Sequence, residues 1–73
     1  MHLRREEESR NMARYYVMEI SSNLFGETCL ARTWGRIGTK GQTKIHLFER
    51  EEEAQQLLVE LAERKQARGY TPL

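Results

Sequence analysis

The chain has 73 residues, of which 32% are charged and 38% are hydrophobic, and its formal net charge at pH 7 is +1. This length accommodates one small domain, and the lack of a long apolar run excludes a transmembrane helix or the apolar part of a secretory signal peptide. The single cysteine, Cys29, excludes an internal disulfide. Because a free thiol fits a reducing compartment, we expect a cytoplasmic protein with no membrane partner.

Residues 1–12 (MHLRREEESRNM) are dominated by charged side chains, and Leu3 is their one apolar residue other than methionine. Such a composition predicts a disordered N-terminal arm, with the folded domain confined to residues 13–73. Met12 followed by Ala13 also resembles a translation start. We therefore expect residues 1–11 to be removable without loss of folding.

Three strands are predicted next, over residues 14–21, 28–37 and 42–48. The first strand (RYYVMEIS) is rich in aromatic and apolar residues. In the third strand (QTKIHLF), one face has Thr43, Ile45 and Leu47, and the other has Lys44, His46 and Phe48. The segments between the strands, SSNLFGE and GTKG, contain the Ser, Asn and Gly residues that are typical of turns. The pattern predicts an antiparallel meander of at least three strands.

A helix is predicted over residues 49–68, because five apolar side chains recur at helical spacing and form one stripe. Glutamates fill its first turn and basic residues its last, as the helix dipole favours, and Gly69 is placed to end it. The stripe must be buried against a face of the sheet, so the predicted fold is a two-layer α+β domain. The stripe consists of Ala54, Leu57, Leu58, Leu61 and Ala62.

The charges are segregated along the chain although their sum is small. Residues 28–50 contain five basic residues and one acidic residue, for a net charge of +4, whereas residues 51–63 contain five glutamates and no base. The last ten residues add three basic side chains. A basic sheet and tail are compatible with an anionic partner.

The segment RTWGRIGTKGQ, residues 32–42, contains the one tryptophan of the chain between two arginines. Residues two apart in a strand share a face, so Arg32, Trp34 and Arg36 are predicted to lie side by side. If the helix covers the opposite, small-residue face, Trp34 is exposed and can stack on a base or sugar. If Trp34 belongs to the core instead, the arginines are its cation–π partners. The residue pattern leaves both interpretations open.

WGRIG followed by KGQ, with RYYVMEI before it and EEAQQLL and KQARGY after it, resembles the WGR domain family. This module occurs in poly(ADP-ribose) polymerases and in small bacterial proteins. The resemblance spans residues 14–70, and it implies a sheet with one packed helix and a role in contacting DNA. In the polymerases the tryptophan stacks at a DNA strand end, and the arginine two residues later contacts DNA or neighbouring domains.

Trp34 and Arg36 match those two family positions, and Arg14 matches a basic position near the DNA backbone. The basic and aromatic C-terminal segment of the family is matched by Lys65, Arg68 and Tyr70. Together with the basic neighbours of the tryptophan, the predicted nucleic-acid-binding residues are Trp34, Arg36, Arg32, Arg14, Lys40, Lys65, Arg68 and Tyr70.

No nucleophile–base pair, metal-ligand spacing or phosphate-binding loop is recognisable, so we expect neither an enzyme nor a bound cofactor or metal. Two functions remain from the sequence. The first is nucleic-acid binding, with DNA as the expected partner. The alternative is a protein-interaction module in which Trp34 and Arg36 anchor a partner protein, since Trp and Arg are enriched at interaction hot spots.

Overall fold

The computed structural model describes all 73 residues as one antiparallel sheet of five strands and one α-helix. The order across the sheet is β4-β3-β2-β1-β5. The predicted α+β fold is therefore confirmed, with two strands more than the sequence indicated. The elements are β1 (His2–Glu7), β2 (Met12–Ser22), β3 (Thr28–Arg36), β4 (Gln42–Phe48), α1 (Glu51–Ala67) and β5 (Thr71–Pro72).

The prediction of a disordered N-terminal arm is wrong. Strand β1 lies inside the sheet, where it pairs with β2 from His2↔Val17 to Glu7↔Met12 and with β5 on its other side. Leu3 is fully buried in the core. The charged residues of β1 pair with one another, since Arg5 donates to Glu7 at 2.8 Å and Arg4 lies 3.2 Å from Glu6. One buried leucine and a complete backbone ladder thus order a segment whose composition is typical of disorder.

Helix α1 packs on one face of the sheet, which we call the covered face; the other is the open face. The apolar stripe behaves as predicted, because Ala54, Leu61 and Ala62 are buried and Leu57 and Leu58 pack against them. No helix is both long enough and apolar enough to cross a membrane. Helix α1 ends at Ala67, and Gly69 follows its C-cap residue, as expected, with a φ of 98° that is accessible mainly to glycine.

The covered face is the face that contains the tryptophan. The register pairs Tyr16 with Trp34 and Ile20 with Leu30, and Tyr16 and Leu30 belong to the buried cluster under α1. The small-residue face of β3 is therefore the open one, opposite to the arrangement in which Trp34 would be fully exposed. Trp34 is half-buried at the margin of the core. The arrangement in which the helix leaves Trp34 exposed is thus wrong, and the interpretation with an arginine as cation–π partner is closer, since the Arg32 guanidinium lies 5.1 Å from the centre of the Trp34 ring.

Candidate nucleic-acid interface

A cleft of about 470 Å³ opens where β2 begins, β3 ends and α1 reaches its last turn. We call it the basic cleft. Five of the eight predicted binding residues line it: Arg14, Trp34, Arg36, Lys65 and Tyr70. The other lining residues are Arg10, Asn11, Met12, Ala13 and Gly35.

Strand register brings the cleft residues together. Arg14 of β2 lies directly opposite Arg36 of β3, one step along the covered face from the Tyr16↔Trp34 pair. The last turn of α1 adds Lys65, and the backbone N–H of Tyr70 donates to the Lys65 carbonyl at 3.0 Å. Residues that are far apart in sequence thus converge on one surface.

Three aromatic rings form the apolar part of this site. Tyr16 is only 1% exposed, and its ring lies 6.3 Å from the Trp34 ring in a stacked arrangement and 6.4 Å from the Tyr70 ring in an edge-on one. The Nζ atom of Lys65 sits 4.6 Å from the centre of the Tyr16 ring and 5.5 Å from that of Tyr70. Such contacts orient Trp34 and the Lys65 ammonium by packing, before any ligand is present.

Close packing explains why the residue after the tryptophan is a glycine, Gly35. A Cβ atom at Gly35 would lie 2.7 Å from the Cα of Gly41 and 3.3 Å from the Tyr15 hydroxyl oxygen. That hydroxyl donates to the carbonyl of Thr39 at 3.0 Å and so fastens the β3–β4 turn to β2. The turn folds so closely over Gly35 that no side chain fits there, and this fixes the strand that carries Trp34.

Three of the four cations that line the basic cleft, Arg14, Arg36 and Lys65, have no carboxylate partner, whereas the fourth, Arg10, lies 3.5 Å from Glu7. The three ion pairs of the structure connect arginines and glutamates of residues 4–10, and none involves Arg14, Arg36 or Lys65. The pKa of Lys65 is lowered, first by burial and then by the positive charges of Arg68, Arg32 and Arg14. Positive potential from these three side chains therefore accumulates in the cleft, which favours an anionic ligand.

Arg32 lies beside Trp34 on the covered face, as predicted, and it has the cation–π position that the sequence left open as an alternative to a phosphate contact. Its guanidinium lies 5.1 Å from the centre of the Trp34 ring, its Nε donates to Nε2 of His46 at 3.0 Å, and its Nη1 donates to the Tyr16 hydroxyl at 3.3 Å. Arg32 does not line the cleft. Its contacts instead hold the indole from the side away from the cleft.

Two other predicted residues also lie outside the lining. Lys40 is exposed in the β3–β4 turn, and Arg68 is exposed immediately after α1, where its charge contributes to lowering the Lys65 pKa. Conversely, the lining includes Arg10, Asn11 and Met12, which sequence reasoning placed in a disordered arm. Asn11 has a left-handed φ of 49°, and its carbonyl accepts a hydrogen bond from Arg36 at 3.2 Å. The asparagine in the β1–β2 turn was the available signal, since Asn tolerates that conformation.

We expect stability to fall as the pH is lowered below 6.5, because of His46. Burial, followed by the charges of Arg32 and Lys44, lowers the pKa of His46 from its usual 6.5. As the pH falls, His46 is therefore protonated in the unfolded chain before it is protonated in the folded protein. The free energy of unfolding decreases below pH 6.5 until the pH is lower than the pKa of His46 in the folded protein. Urea unfolding measured from about pH 7.5 down to about pH 5 checks this expectation. His46→Gln, which retains an acceptor for Arg32, should flatten the decline; an equally steep decline in that variant would assign it to other groups.

Comparison with known proteins places the chain in a family. The WGR domain model matches residues 1–73, so the match includes β1 as well as the segments that carry the resemblance. An uncharacterized protein of Sinorhizobium fredii, y4dW, is 54% identical over 72 residues, which are 99% of this chain and 35% of that protein. The chain thus spans about a third of the length of the curated relative that it matches. No solved structure matches it. By the family match over its full length, this chain belongs to the WGR domain family.

Proposed function

We propose that the protein binds nucleic acid, with DNA as the expected form, through the basic cleft and without catalysis. One observation supports this most directly: the unpaired cations Arg14, Arg36 and Lys65 surround the half-buried Trp34 and the Tyr70 ring in a single cleft. Cations that track a phosphate backbone beside an aromatic surface are the arrangement used by proteins that bind nucleic acid without reading its sequence.

The cleft residues divide into two roles in this proposal. Trp34, held by Tyr16 below and Arg32 beside it, offers its remaining exposed surface to a sugar or base. Arg14 and Arg36, opposite each other on β2 and β3, contact phosphates. Lys65 supplies a third positive charge from α1. A bound phosphate offsets the repulsion between the Lys65 ammonium and the neighbouring arginines. Arg32 acts through Trp34 and makes no phosphate contact.

The test is a titration of fluorescein-labelled blunt, recessed and single-stranded oligonucleotides, followed by anisotropy at several salt concentrations. Arg14→Gln should weaken binding and reduce the slope of log K against log salt by about 0.9 for a duplex, or about 0.7 for a single strand, because one phosphate contact is lost. Arg64→Gln removes the same charge from an exposed position of α1 outside the cleft, so it should leave the slope nearly unchanged.

Trp34→Leu should weaken binding by about 1–3 kcal/mol, or roughly 5- to 150-fold, with little change in the salt slope. Leucine retains an apolar contact with Tyr16, and circular dichroism verifies the fold. Equal slopes for Arg14→Gln and wild type would remove the phosphate contact from the proposal. If the wild type binds none of the oligonucleotides at low salt, the proposal fails, and a protein partner for the Trp34 and Arg36 surface becomes the function to test.

A further inference from the structure

Strand β4 is a free edge of the sheet. Its inner side forms a ladder with β3 from Trp34↔Gln42 to Thr28↔Phe48, and no strand adjoins its outer side. Edge strands usually resist pairing with other chains through proline, a bulge or charged side chains. β4 contains no proline, and its one charged side chain, Lys44, lies on the covered face, opposite Arg32 in the register. The open face of β4 therefore has no charge that would repel another strand.

Two of the three β4 side chains on the open face are aliphatic, and the third is Thr43. Ile45 and Leu47 are 61% and 56% exposed, and their register partners on β3 are Ala31 and Cys29. The side chains on the solvent-exposed face of an antiparallel sheet are normally polar, and they alternate along each strand with the apolar side chains of the covered face. Two adjacent exposed aliphatic side chains on an open edge strand can pack sideways against the side chains of an added strand.

We propose that a second copy of this chain adjoins this edge, through antiparallel pairing of the two β4 strands. The strand has seven residues and Ile45 is the middle one. A two-fold axis at this position places Ile45 opposite its own counterpart and Thr43 opposite Leu47 of the second copy. On the covered face the same register places Lys44 opposite His46.

The composition of β4 favours a copy of itself as the occupant. Like charges directly opposite each other destabilise a sheet, and this register contains no such pair while His46 is neutral. The lowered pKa of His46 favours its neutral form at pH 7. Nucleic acid is a poor occupant, because the open face of β4 has no cation. One strand and a few side chains bury less than the roughly 800 Å² per partner of a stable interface, so we expect a dimer that dissociates in the micromolar range.

Such a dimer has a definite geometry. Antiparallel pairing about an axis perpendicular to the sheet produces one continuous sheet, with both α1 helices and both basic clefts on the same side. If the proposed function holds, the dimer presents two nucleic-acid sites to one ligand, and two linked sites bind more tightly than either alone. The pairing itself does not depend on that function.

Sedimentation equilibrium without nucleic acid, from low micromolar to near-millimolar protein, tests the pairing. The wild-type mass should rise from 8.7 kDa toward twice that value. Ile45→Lys places two ammonium groups opposite each other and should remain a monomer, while circular dichroism confirms that this exposed position tolerates the change. Ile37→Lys adds the same charge at an exposed isoleucine beyond β3, and it should still dimerise.

Association through another exposed apolar surface must be distinguished from pairing of the β4 strands. Leu24 and Phe25, at the β2–β3 turn, are 99% and 86% exposed, more than any other large apolar residue. Phe25→Ser should dimerise like the wild type, and outward-facing amides of β4 should gain protection from hydrogen exchange as concentration rises. A wild type that stays monomeric, a mass that grows beyond the dimer, or a monomeric Phe25→Ser variant would overturn the proposal. Nucleic-acid titration of monomeric Ile45→Lys tests the basic cleft separately.

Discussion

A protein that begins at Met12 should lose its cooperative unfolding transition. The truncation removes β1, which is hydrogen-bonded on both sides, by β2 and by β5. It also removes Leu3, one of the four largest fully buried side chains. Small domains are stable by only about 0.05–0.15 kcal/mol per residue, so this chain cannot lose a central strand and remain folded. Circular dichroism during heating and urea titration is the measurement.

Two full-length variants show whether the effect comes from the strand. Leu3→Ala should cost about 2–5 kcal/mol, because the cavity adds to the lost apolar burial. His2→Ala alters an exposed neighbour in the same strand and should change stability by less than about 0.5 kcal/mol. A truncated protein that melts cooperatively at the full-length temperature would contradict the role assigned to β1.

Gly41→Ala should be among the most damaging single substitutions in the chain. Gly41 has a φ of 67°, and a Cβ atom there would overlap both the Trp34 carbonyl oxygen and the Tyr15 hydroxyl. The change therefore adds backbone strain to a clash with main-chain atoms that cannot move independently. We expect a loss of about 3–5 kcal/mol in the free energy of unfolding, measured by urea titration.

Gly38→Ala is the matched control, because Gly38 lies in the same turn. Its φ is 94°, and a Cβ atom there would meet nothing within 4 Å. This substitution should cost only the backbone strain, about 1–2 kcal/mol. Equal losses in the two variants would show that the close approach of Gly41 to Trp34 adds nothing to the strain.

Some elements were predictable because their side chains report their surroundings. The alternation of Gln42–Phe48 predicts β4 with the bounds that the structure gives. The apolar stripe and Gly69 predict α1 to within two residues at its start and one at its end. In both cases a regular contrast between buried and exposed positions is visible in the sequence itself.

β1 escaped prediction because its stabilisation is not visible in its composition. Its backbone bonds go to β2 and β5, and its arginines and glutamates pair within the strand. Only Leu3 contributes to the core. A strand held mainly by main-chain partners looks like a solvated segment when the sequence is considered alone.

The face that α1 covers was likewise not determined by β3 alone. The small residues Ala31, Thr33 and Gly35 suggested room for a helix, but Tyr16 and Met18 of the neighbouring strand are the buried residues. They share a face with Trp34 through the register. The half-buried position of Trp34, with most of the predicted cations around it, depends on that pairing between strands.

The pairing of β1 with β5 joins the two ends of the chain, and this affects the order in which the strands pair during folding. The Thr71 hydroxyl donates to the Arg4 carbonyl across 67 positions, and the Leu73 amide donates to the His2 carbonyl at 3.1 Å. Closing so long a loop costs more entropy than forming the neighbouring hairpins, so we expect this ladder to form last. Tyr70 immediately precedes β5, so the final step also sets one wall of the basic cleft. The basic cleft is therefore complete only after β5 has paired with β1.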